Sequence, residues 1–365
     1  MRMKILILSD IQDHGKKCAE GLLKLGNEVY YAYPKGMISK GVKLAPGIKM
    51  IKLPYGGAKS YILNSYKLRH LCKRIKPDVV HVHYATGFGL LAMLAGVHPN
   101  VISCYGSDIF EFPNKNRFNN WLLCRILKKA DALQSTSKVM SNEIQTIIRD
   151  SNKKIDIIPF GINLEKFKPE KKKSINKRPV IGFVKSLYPI YDIPLLLHAF
   201  KLVYEKLDER PVLNIVGDGP LLLELKELVK SLKLDDSVSF LGRVPNEEIP
   251  RLLNSFDVFV NSSKEESFGV NILEAMACKV PVVATDCLGP KEVMENGKYG
   301  ILLKDREPET MADAILQLLK DREIRETYIN NGRRRVEACY DWNKNVIALQ
   351  QSLEKVVERH KIFNS

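Results

Sequence analysis

Residues Lys264–Thr285 read KEESFGVNILEAMACKVPVVAT, and this stretch predicts a buried helix followed by a buried strand. The helix is predicted over Phe268–Cys278. Its polar side chains recur at helical spacing and therefore share one side. They are Ser267, Asn271, Glu274 and Cys278. Every other position of the helix is apolar or Gly, whereas a surface helix would carry charges over its outer half. The pattern predicts a helix that packs on a sheet and keeps one polar line.

Apolar strands and amphipathic helices alternate along the chain on both sides of this stretch. Before residue 165 the predicted strands are MKILILS, NEVYYAY, PDVVHVHYA, NVISCY, DALQSTS and KIDIIPFG. After residue 179 they are VIGFV, VLNIVG, SVSFLG, FDVFVNS and VPVVAT. Continuous apolar strands that alternate with helices predict parallel sheets covered on both faces. The sequence therefore predicts the α/β class, with two Rossmann-like units in succession.

A charged, proline-bounded segment interrupts the alternation and is predicted to be a linker. It reads EKFKPEKKKSINKRP and spans 165–179. We therefore place a first domain at 1–165 and a second at 166–342. The last segment, about 343–365, is predicted to be an amphipathic helix that follows the second sheet, and its pattern allows packing on either unit.

The formal net charge of +15 is concentrated in the first half of the 365 residues. Residues 1–180 hold 32 Lys and Arg against 13 Asp and Glu, whereas residues 181–365 hold 25 against 29. Such asymmetry predicts an anionic partner, either nucleic acid or a membrane surface, unless the charges only solvate the domain. A non-enzymatic nucleic-acid-binding protein is one alternative, but the sequence contains no recognisable module for it.

Seven scattered cysteines without a C-x-x-C pair are typical of reduced thiols in the cytoplasm. The basic N-terminus has too short an apolar run for a signal peptide. The longest weakly polar stretch, Tyr84–Val97, is shorter than the roughly 20 residues of a membrane span. We therefore expect a cytoplasmic protein.

The segment GFGLLA resembles a dinucleotide-binding fingerprint. Gly87, Gly89 and Ala92 have G-x-G-x-x-A spacing after a strand, and Asp108 follows about 20 residues later. This reading would make the chain an NAD-dependent dehydrogenase. The fingerprint normally opens the first strand–helix unit, however, and here it stands in a later one. A packed helix rich in Gly and Ala also produces this spacing.

His81 and His83 lie on one face of a predicted strand, but no third metal ligand is spaced nearby. The sequence also contains no H-E-x-x-H and no D-x-D motif. We therefore predict hydrogen-bonded histidines at a strand end, with no metal and no cofactor.

A second glycine-rich turn, IVGDGP, ends a strand and opens a helix. Gly217 and Gly219 permit a tight turn and a close approach of the backbone. The turn either only connects the two elements or admits a ligand.

Two carboxylates in the opening stretch indicate a ligand. A buried Glu274 needs a partner, and a pair of ligand hydroxyls would serve. Glu266 precedes the helix N-terminus, whose N–H groups favour an anion such as phosphate. Eight residues at about 1.5 Å each separate the two backbones by roughly 12 Å, whereas a glycosidase carboxyl pair lies about 5 to 9.5 Å apart. The wider span fits a nucleotide-sugar, with hydroxyls at both ends and phosphates between them.

At this point the sequence resembles a family. EESFGVNILEAMA is similar to the E-x7-E signature of retaining glycosyltransferases with the GT-B fold, family 4, also called glycosyl transferases group 1. Further segments match this family in order along nearly the whole chain. They are DVVHVHYA, GSDIF, IIPFGINLEKFKP, IVGDGP, VSFLGRV, PVVATDCLGPKEV and GKYGILL. The resemblance implies two Rossmann-like domains that face each other across a cleft. It also implies a C-terminal helix that crosses back to the first domain.

The resemblance also implies roles for individual residues. Glu266 contacts the donor sugar, and Glu274 holds the ribose hydroxyls. The other implied donor-binding residues are Gly217, Arg243, Val244, Phe268, Gly269 and Val270, the last three through their backbone amides. Gly15 and Asp108 are implied on the acceptor side. The reaction needs no metal and retains the configuration of the glycosyl bond.

Three positions depart from the family's pattern. Lys185 stands where the family has an Arg that grips the diphosphate, and Tyr191 stands near the expected Lys. Tyr105 replaces the usual His of an HG pair. A tyrosine can hydrogen-bond a sugar hydroxyl, but it cannot perform imidazole acid–base chemistry near neutral pH. We count Glu266, Lys185 and Tyr105 as candidate catalytic residues.

The sequence thus predicts a retaining glycosyltransferase that uses a nucleoside-diphosphate sugar, with UDP as the expected carrier. Its acceptor is predicted to be a glycan or a lipid-linked molecule in surface polysaccharide or glycolipid assembly. The basic first domain predicts peripheral attachment to an anionic membrane at its inner face. The dehydrogenase alternative leaves both carboxylates unexplained.

Overall fold

The computed structural model describes residues 1–10, 13–37, 43–170 and 178–364. It divides into two compact units. The first unit comprises Met1–Pro159 together with the chain from Asn343 onward, and the second comprises Phe160–Trp342. Residues 171–177 of the predicted linker lie outside the described residues.

The first unit contains a parallel sheet, with seven strands among the residues described. They are β1 (Lys4–Leu8), β2 (Glu28–Lys35), β3 (Lys49–Gly56), β4 (Val79–His83), β5 (Asn100–Cys104), β6 (Ala132–Ser135) and β7 (Asp156–Ile157). Their order is β3-β2-β1-β4-β5-β6-β7, and each pair is parallel. Every residue of β4 and β5 is buried, because helices cover both faces of the sheet.

Helices connect these strands. They are α1 (Asp13–Lys24), α2 (Ser60–Leu63), α3 (Ser65–Ile75), α4 (Gly87–Ala95), α5 (Ser107–Phe110), α6 (Arg117–Lys129) and α7 (Lys138–Ile148), with a 3-10 turn at Pro113–Lys115. Their apolar sides and the strands form one core, in which Leu6, Val82 and Ile102 are almost completely buried.

The second unit repeats this plan, with a six-stranded parallel sheet in the described part. Its strands are β8 (Val180–Val184), β9 (Val212–Val216), β10 (Val238–Gly242), β11 (Val258–Asn261), β12 (Val282–Thr285) and β13 (Ile301–Leu303), in the order β10-β9-β8-β11-β12-β13. Its helices are α8 (Ile193–Lys206), α9 (Leu222–Ser231), α10 (Ile249–Leu253), α11 (Val270–Ala277), α12 (Leu288–Val293), α13 (Pro308–Lys320) and α14 (Arg322–Cys339), with a 3-10 turn at Pro189–Tyr191.

The C-terminal helix α15 (Trp342–Asn364) packs on the first unit. The Asn27 amide donates to Gln350 Oε1 at 2.9 Å, and the Gln134 amide donates to Ser352 Oγ at 2.8 Å. The sequence pattern left both units possible for this helix, and the return to the first unit that the resemblance implies is confirmed.

The predicted fold class, α/β with two Rossmann-like units, is confirmed, but the sequence did not predict β3 and β13 as strands. Both are edge strands. In β3 only Leu53 is buried, and β13 has three residues. An edge strand with one buried side chain shows no continuous apolar run, so periodicity does not reveal it.

Candidate active site

The predicted donor-binding residues of the second unit lie at the carboxyl ends of its strands. Lys185 follows β8, Gly217 follows β9, Arg243 follows β10, and Glu266 lies in the loop after β11. The chain order of the strands reverses between β8 and β11, which are adjacent in the sheet. Open α/β sheets bind ligands at such a switch point, outside the carboxyl ends of the strands.

The Lys185 ammonium forms an ion pair with the Glu266 carboxylate at this switch point. The two side chains are only 18% and 13% exposed. Tyr191 contributes its ring, whose centroid lies 4.5 Å from Lys185 Nζ. Burial lowers the pKa of Lys185 to about 8. Two of the predicted catalytic residues are therefore in direct contact, and Tyr191 packs on the cation.

The helix of the opening stretch begins at Val270, two residues later than predicted. Gly269 precedes it with φ of 91°, a left-handed conformation that ends any continuous helix toward Phe268 and favours glycine. The spacing of 1.5 Å per residue therefore does not apply between Glu266 and Glu274. Glu266 instead lies in the preceding loop, where its Oε1 accepts from the Phe268 N–H at 3.4 Å.

Phe268 can offer a ligand only its backbone. Its side chain is buried, with ring centroids 5.0 Å from Phe160 and 6.0 Å from Tyr340. Val270, by contrast, is 39% exposed. The N–H groups of Val270 and Asn271 begin α11 and have no partner within the helix, whereas the Ile272 N–H donates to the Gly269 carbonyl at 3.1 Å. The first two N–H groups fit the prediction of a phosphate near Gly269.

Of the predicted polar line, only Asn271 and Glu274 lie within α11, because the helix spans Val270–Ala277. Asn271 donates to the Val184 carbonyl at 3.2 Å and accepts from Asn261 at 3.3 Å, so it fastens the helix to the ends of β8 and β11. Glu274 is half-buried, Cys278 is buried, and Ser267 is exposed. Glu274 therefore lies on the partly open side of the helix.

The glycine-rich turn after β9 packs closely on the segment that carries Lys185. Gly217 has φ of 142°, and any side chain there would collide with the Lys185 carbonyl. The Gly217 N–H donates to the Gly242 carbonyl at 2.8 Å. The turn thus positions the backbone of Lys185. Arg243 is exposed, and Val244 is half-buried against the core.

Arg306, which the sequence analysis did not identify, links the loop after β8, which carries Lys185, to the loop after β11, which carries Glu266. Its guanidinium pairs with Asp192 at 2.6 Å and donates to the carbonyls of Ser262 and Ser263 at 2.9 Å each. Ser262 Oγ also donates to the Tyr191 carbonyl at 2.7 Å. Arg306 is far from both loops in the chain, so no local motif could have revealed this role.

In the first unit, Tyr105 lies beside a cluster of three histidines, of which His81 and His83 are buried and His14 is half-buried. Its hydroxyl is 3.2 Å from His83 Nδ1, and its ring centroid is 4.6 Å from that of His14. His81 and His83 are buried and hydrogen-bonded to each other at 3.3 Å, as predicted for a strand end.

The Asp108 carboxylate accepts hydrogen bonds from the backbone of two different loops. Its Oδ1 accepts from the N–H groups of Tyr105 and Gly106, and its Oδ2 accepts from that of Ala85. Burial raises the pKa of Asp108, and these N–H donors oppose that rise. Its two oxygens therefore join the loops that follow β4 and β5.

Close packing explains three glycines of the first unit. Side chains at Gly87 and Gly89 would collide with Tyr61 and Ile126, so these two glycines let α4 pack closely on its neighbours. Packing therefore accounts for the spacing of GFGLLA without a bound dinucleotide. A side chain at Gly15, the predicted acceptor-side glycine, would collide with the Tyr31 hydroxyl.

Within the described ranges, no group of three or more His, Cys, Asp or Glu side chains is arranged to hold a metal ion. None of the helices in the described part of the chain is both long enough and apolar enough for a transmembrane segment.

Two family models match the chain. The model described as glycosyl transferases group 1 matches residues 165–335, and the model described as glycosyl transferase 4-like matches residues 4–137. The chain is also 29% identical to N-acetyl-alpha-D-glucosaminyl L-malate synthase of Bacillus anthracis, over 81% of this chain and 76% of the relative.

Two solved structures resemble the whole chain. Sucrose-phosphate synthase from Thermosynechococcus elongatus has a TM-score of 0.81 at 19% identity and covers 100% of both chains. Anabaena Alr3699/HepE, solved in complex with UDP and glucose, has a TM-score of 0.74 at 18% identity, covering 97% of this chain and 100% of the other. At these identities the likeness establishes the fold.

Proposed function

The chain belongs to the glycosyl transferases group 1 family and has the GT-B fold, and we propose that it is a retaining enzyme that uses a UDP-sugar. Its acceptor is a glycan or a lipid-linked molecule in the assembly of a surface polysaccharide or glycolipid. The observation that carries the proposal is the ion pair between Lys185 and Glu266 at the switch point of the second sheet.

This pair supplies the two kinds of group that a nucleotide-sugar needs. In the proposed complex, Lys185 faces the diphosphate, and the N–H groups at the start of α11 add further donors. Glu266 accepts hydrogen bonds from hydroxyls of the transferred sugar, and Glu274 accepts from the ribose diol through charge-assisted bonds. Without donor, the cation and the carboxylate neutralise each other.

In the proposed reaction, the bond between the anomeric carbon and the phosphate oxygen breaks. The acceptor oxygen bonds to that carbon on the same face, and its proton passes to the leaving phosphate oxygen. Positive charge placed where the leaving group becomes negative is among the largest contributions an enzyme can make. Lys185 holds that position here, and Arg306 keeps the two loops in register.

The choice of UDP is supported by one structural neighbour, which was solved with UDP and glucose. A thermal-shift and calorimetry series with UDP, GDP and NAD tests it. A ligand at a hundredfold excess over its Kd stabilises the fold by about 2.7 kcal/mol, so UDP is expected to raise the melting temperature clearly. Stabilisation by NAD without stabilisation by UDP or GDP would overturn the proposal.

The acceptor class is supported by a basic and apolar surface on α2 and α3. Ile62, Leu63 and Tyr66 are exposed there, by 58%, 50% and 65%. The exposed cations of α3 and of its C-terminal end are Lys67, Arg69, Lys73, Arg74 and Lys76. Each basic side chain near an anionic membrane contributes about 1 kcal/mol to attachment. We therefore propose peripheral attachment at the inner face of the cell membrane, where a lipid-linked acceptor is presented.

Retention is tested by the anomeric configuration of the product, read from its proton NMR coupling. A product with inverted configuration would refute this part of the proposal. Transfer to a small soluble acid, such as the malate in the name of the Bacillus anthracis relative, would replace the lipid-linked acceptor and leave the donor assignment intact.

A further inference from the structure

Seven side chains of the first unit form a connected series of hydrogen bonds, with additional contacts between Tyr105 and Ser103 and between His81 and Gln134. In order they are Tyr105, His83, His81, Ser103, Gln134, Ser352 and Asp156. This chain of hydrogen bonds passes from the end of β5 through β4, β5 and β6 to α15 and β7. All of its members are buried except Tyr105 and Asp156 at its two ends, which are half-buried. Buried polar groups require hydrogen-bond partners, so the direction of each bond constrains the next.

The direction starts at Asp156, because an ionised carboxylate can only accept hydrogen bonds. Ser352 Oγ, 2.6 Å from Asp156 Oδ2, therefore donates its single proton to the carboxylate. The Ser352 oxygen must then accept from the Gln134 Nε2 amide, 2.8 Å away. This places Gln134 Oε1 toward Ser103.

The next hydrogen bonds, through Ser103 and the two histidines, follow because a hydroxyl has only one proton to donate. Ser103 donates its single proton to Gln134 Oε1 at 2.6 Å. His81 Nε2 is 2.8 Å from the Ser103 oxygen and must therefore carry the proton and donate it. His81 Nδ1 is then an acceptor, so His83 Nε2, 3.3 Å away, is the donor. His83 Nδ1 is left as an acceptor for the Tyr105 hydroxyl at 3.2 Å.

This pattern requires two neutral histidines, since a protonated ring donates from both nitrogens. Burial lowers the pKa of His81 to about 4. Burial also lowers the pKa of His83 well below its usual range, with the neighbouring rings of His81 and His14 adding to the effect. Both rings are therefore neutral at physiological pH.

We infer that Asp156 sets the direction of every hydrogen bond in this chain and thereby turns the Tyr105 O–H toward His83. Any further group that hydrogen-bonds the Tyr105 oxygen must then be a donor. On the proposed function, that group is a sugar hydroxyl, and a phosphate or carboxylate oxygen is disfavoured at this position. The members between Tyr105 and Asp156 are positioning residues, which act through the tyrosine.

Nitrogen-15 NMR of the histidine rings, recorded on the whole protein without substrate, tests the direction. Neutral rings protonated at Nε2 and at Nδ1 give distinct spectra, and single histidine variants assign the signals. We expect His81 and His83 to be neutral and protonated at Nε2. A signal from either ring that shows an Nδ1 proton, or a charged ring at neutral pH, would overturn the inference.

Asp156→Asn tests the origin of the direction, because an amide can donate to Ser352 and so permits every bond in the chain to reverse. We expect signals of Nδ1-protonated His81 and His83 to appear in this variant. Ser352→Ala, which cuts the chain at the same end, is the second variant and should give the same mixture. The control is Asp150→Asn, which removes an exposed carboxylate of the same unit and should leave both tautomers unchanged. Unaltered tautomers in both test variants would show that Asp156 does not set the direction.

The consequence for the ligand is measured separately. Tyr105→Phe should raise KM for the donor or the acceptor while UDP affinity stays unchanged, and an unchanged KM for both would refute the contact with a sugar. The NMR result needs no activity, so a failure of the proposed function and a failure of this inference are distinguishable.

Discussion

The Lys185 ammonium lies against the Glu266 carboxylate where the second sheet reverses its strand order. Lys185 follows β8 and Glu266 follows β11, and these strands are adjacent although they are far apart in the chain. Both side chains are largely buried, so water does not fully screen either charge. On the proposed function, the pair is the site for a ligand that brings both an anion and hydroxyl groups.

Replacing Lys185 by Met should weaken UDP binding. A hydrogen bond to a charged group is worth about 1.5–3 kcal/mol, so we expect a loss of about 10- to 150-fold in affinity by calorimetry. Lys264→Met is the control, because Lys264 is an exposed cation in the neighbouring loop. Equal affinities of the Lys185 variant and the native protein would exclude a diphosphate contact.

Donor affinity should fall as pH rises through about 8, the lowered pKa of Lys185. Below that pH the ammonium is charged and attracts phosphate, and above it the side chain becomes neutral. Lys185→Arg should remove this dependence, because a guanidinium stays protonated across the range. Calorimetric titrations of UDP from pH 6.5 to 9.5 would measure both. A native profile that stays flat, or an Arg variant that declines in parallel, would argue against Lys185 as the titrating group.

Glu266→Gln should reduce turnover more than nucleotide binding, because the proposed function assigns this carboxylate to the sugar end of the donor. Loss of one charge-assisted bond in the transition state corresponds to about a 10- to 150-fold drop in kcat. Initial rates and UDP affinity would be compared with those of Glu265→Gln, the exposed neighbour of the same charge. The assignment fails if UDP affinity falls as much as kcat.

Glu274→Gln should have the opposite effect to Glu266→Gln. It should weaken UDP binding while the fold stays intact. The amide retains one acceptor but loses the charge that strengthens bonds to the ribose diol. We expect a loss of about 1.5–3 kcal/mol in UDP binding, measured by calorimetry on a variant whose melting temperature is near that of the native protein. Undiminished affinity for UDP and GDP would remove Glu274 from the donor site.

The central strands were predictable because burial on both faces makes them continuously apolar, as in β8 and β12. The contact between Lys185 and Glu266 was not predictable, since each lies in a separate motif and only the strand order brings them together. The contacts of Arg306 and the hydrogen bonds from Tyr105 to Asp156 were also not predictable, because they too join residues that are far apart in the chain. Sequence periodicity identifies elements, whereas contacts between distant loops depend on topology.

The surface of α2 and α3 should attach the protein to anionic vesicles. Exposed Ile62, Leu63 and Tyr66 can enter the lipid interface, while the neighbouring cations meet its negative charge. Co-sedimentation with phosphatidylglycerol vesicles should exceed that with neutral vesicles and should weaken at high salt. If the protein binds neither kind of vesicle, the cations of α2 and α3 only keep this surface solvated.

Reversing the charge of two cations on α3 tests whether this helix is the part of the protein that binds vesicles. Lys73→Glu combined with Arg74→Glu should lower vesicle binding, and at about 1 kcal/mol per basic side chain the loss should be at least tenfold. Lys226→Glu combined with Lys230→Glu makes the same charge change on exposed residues of α9 in the second unit and is the control. Transfer to a short soluble acceptor should stay near normal in both double variants, because neither pair belongs to the candidate active site. If the control lowers vesicle binding as much as the α3 variant, attachment reflects overall charge and not this surface.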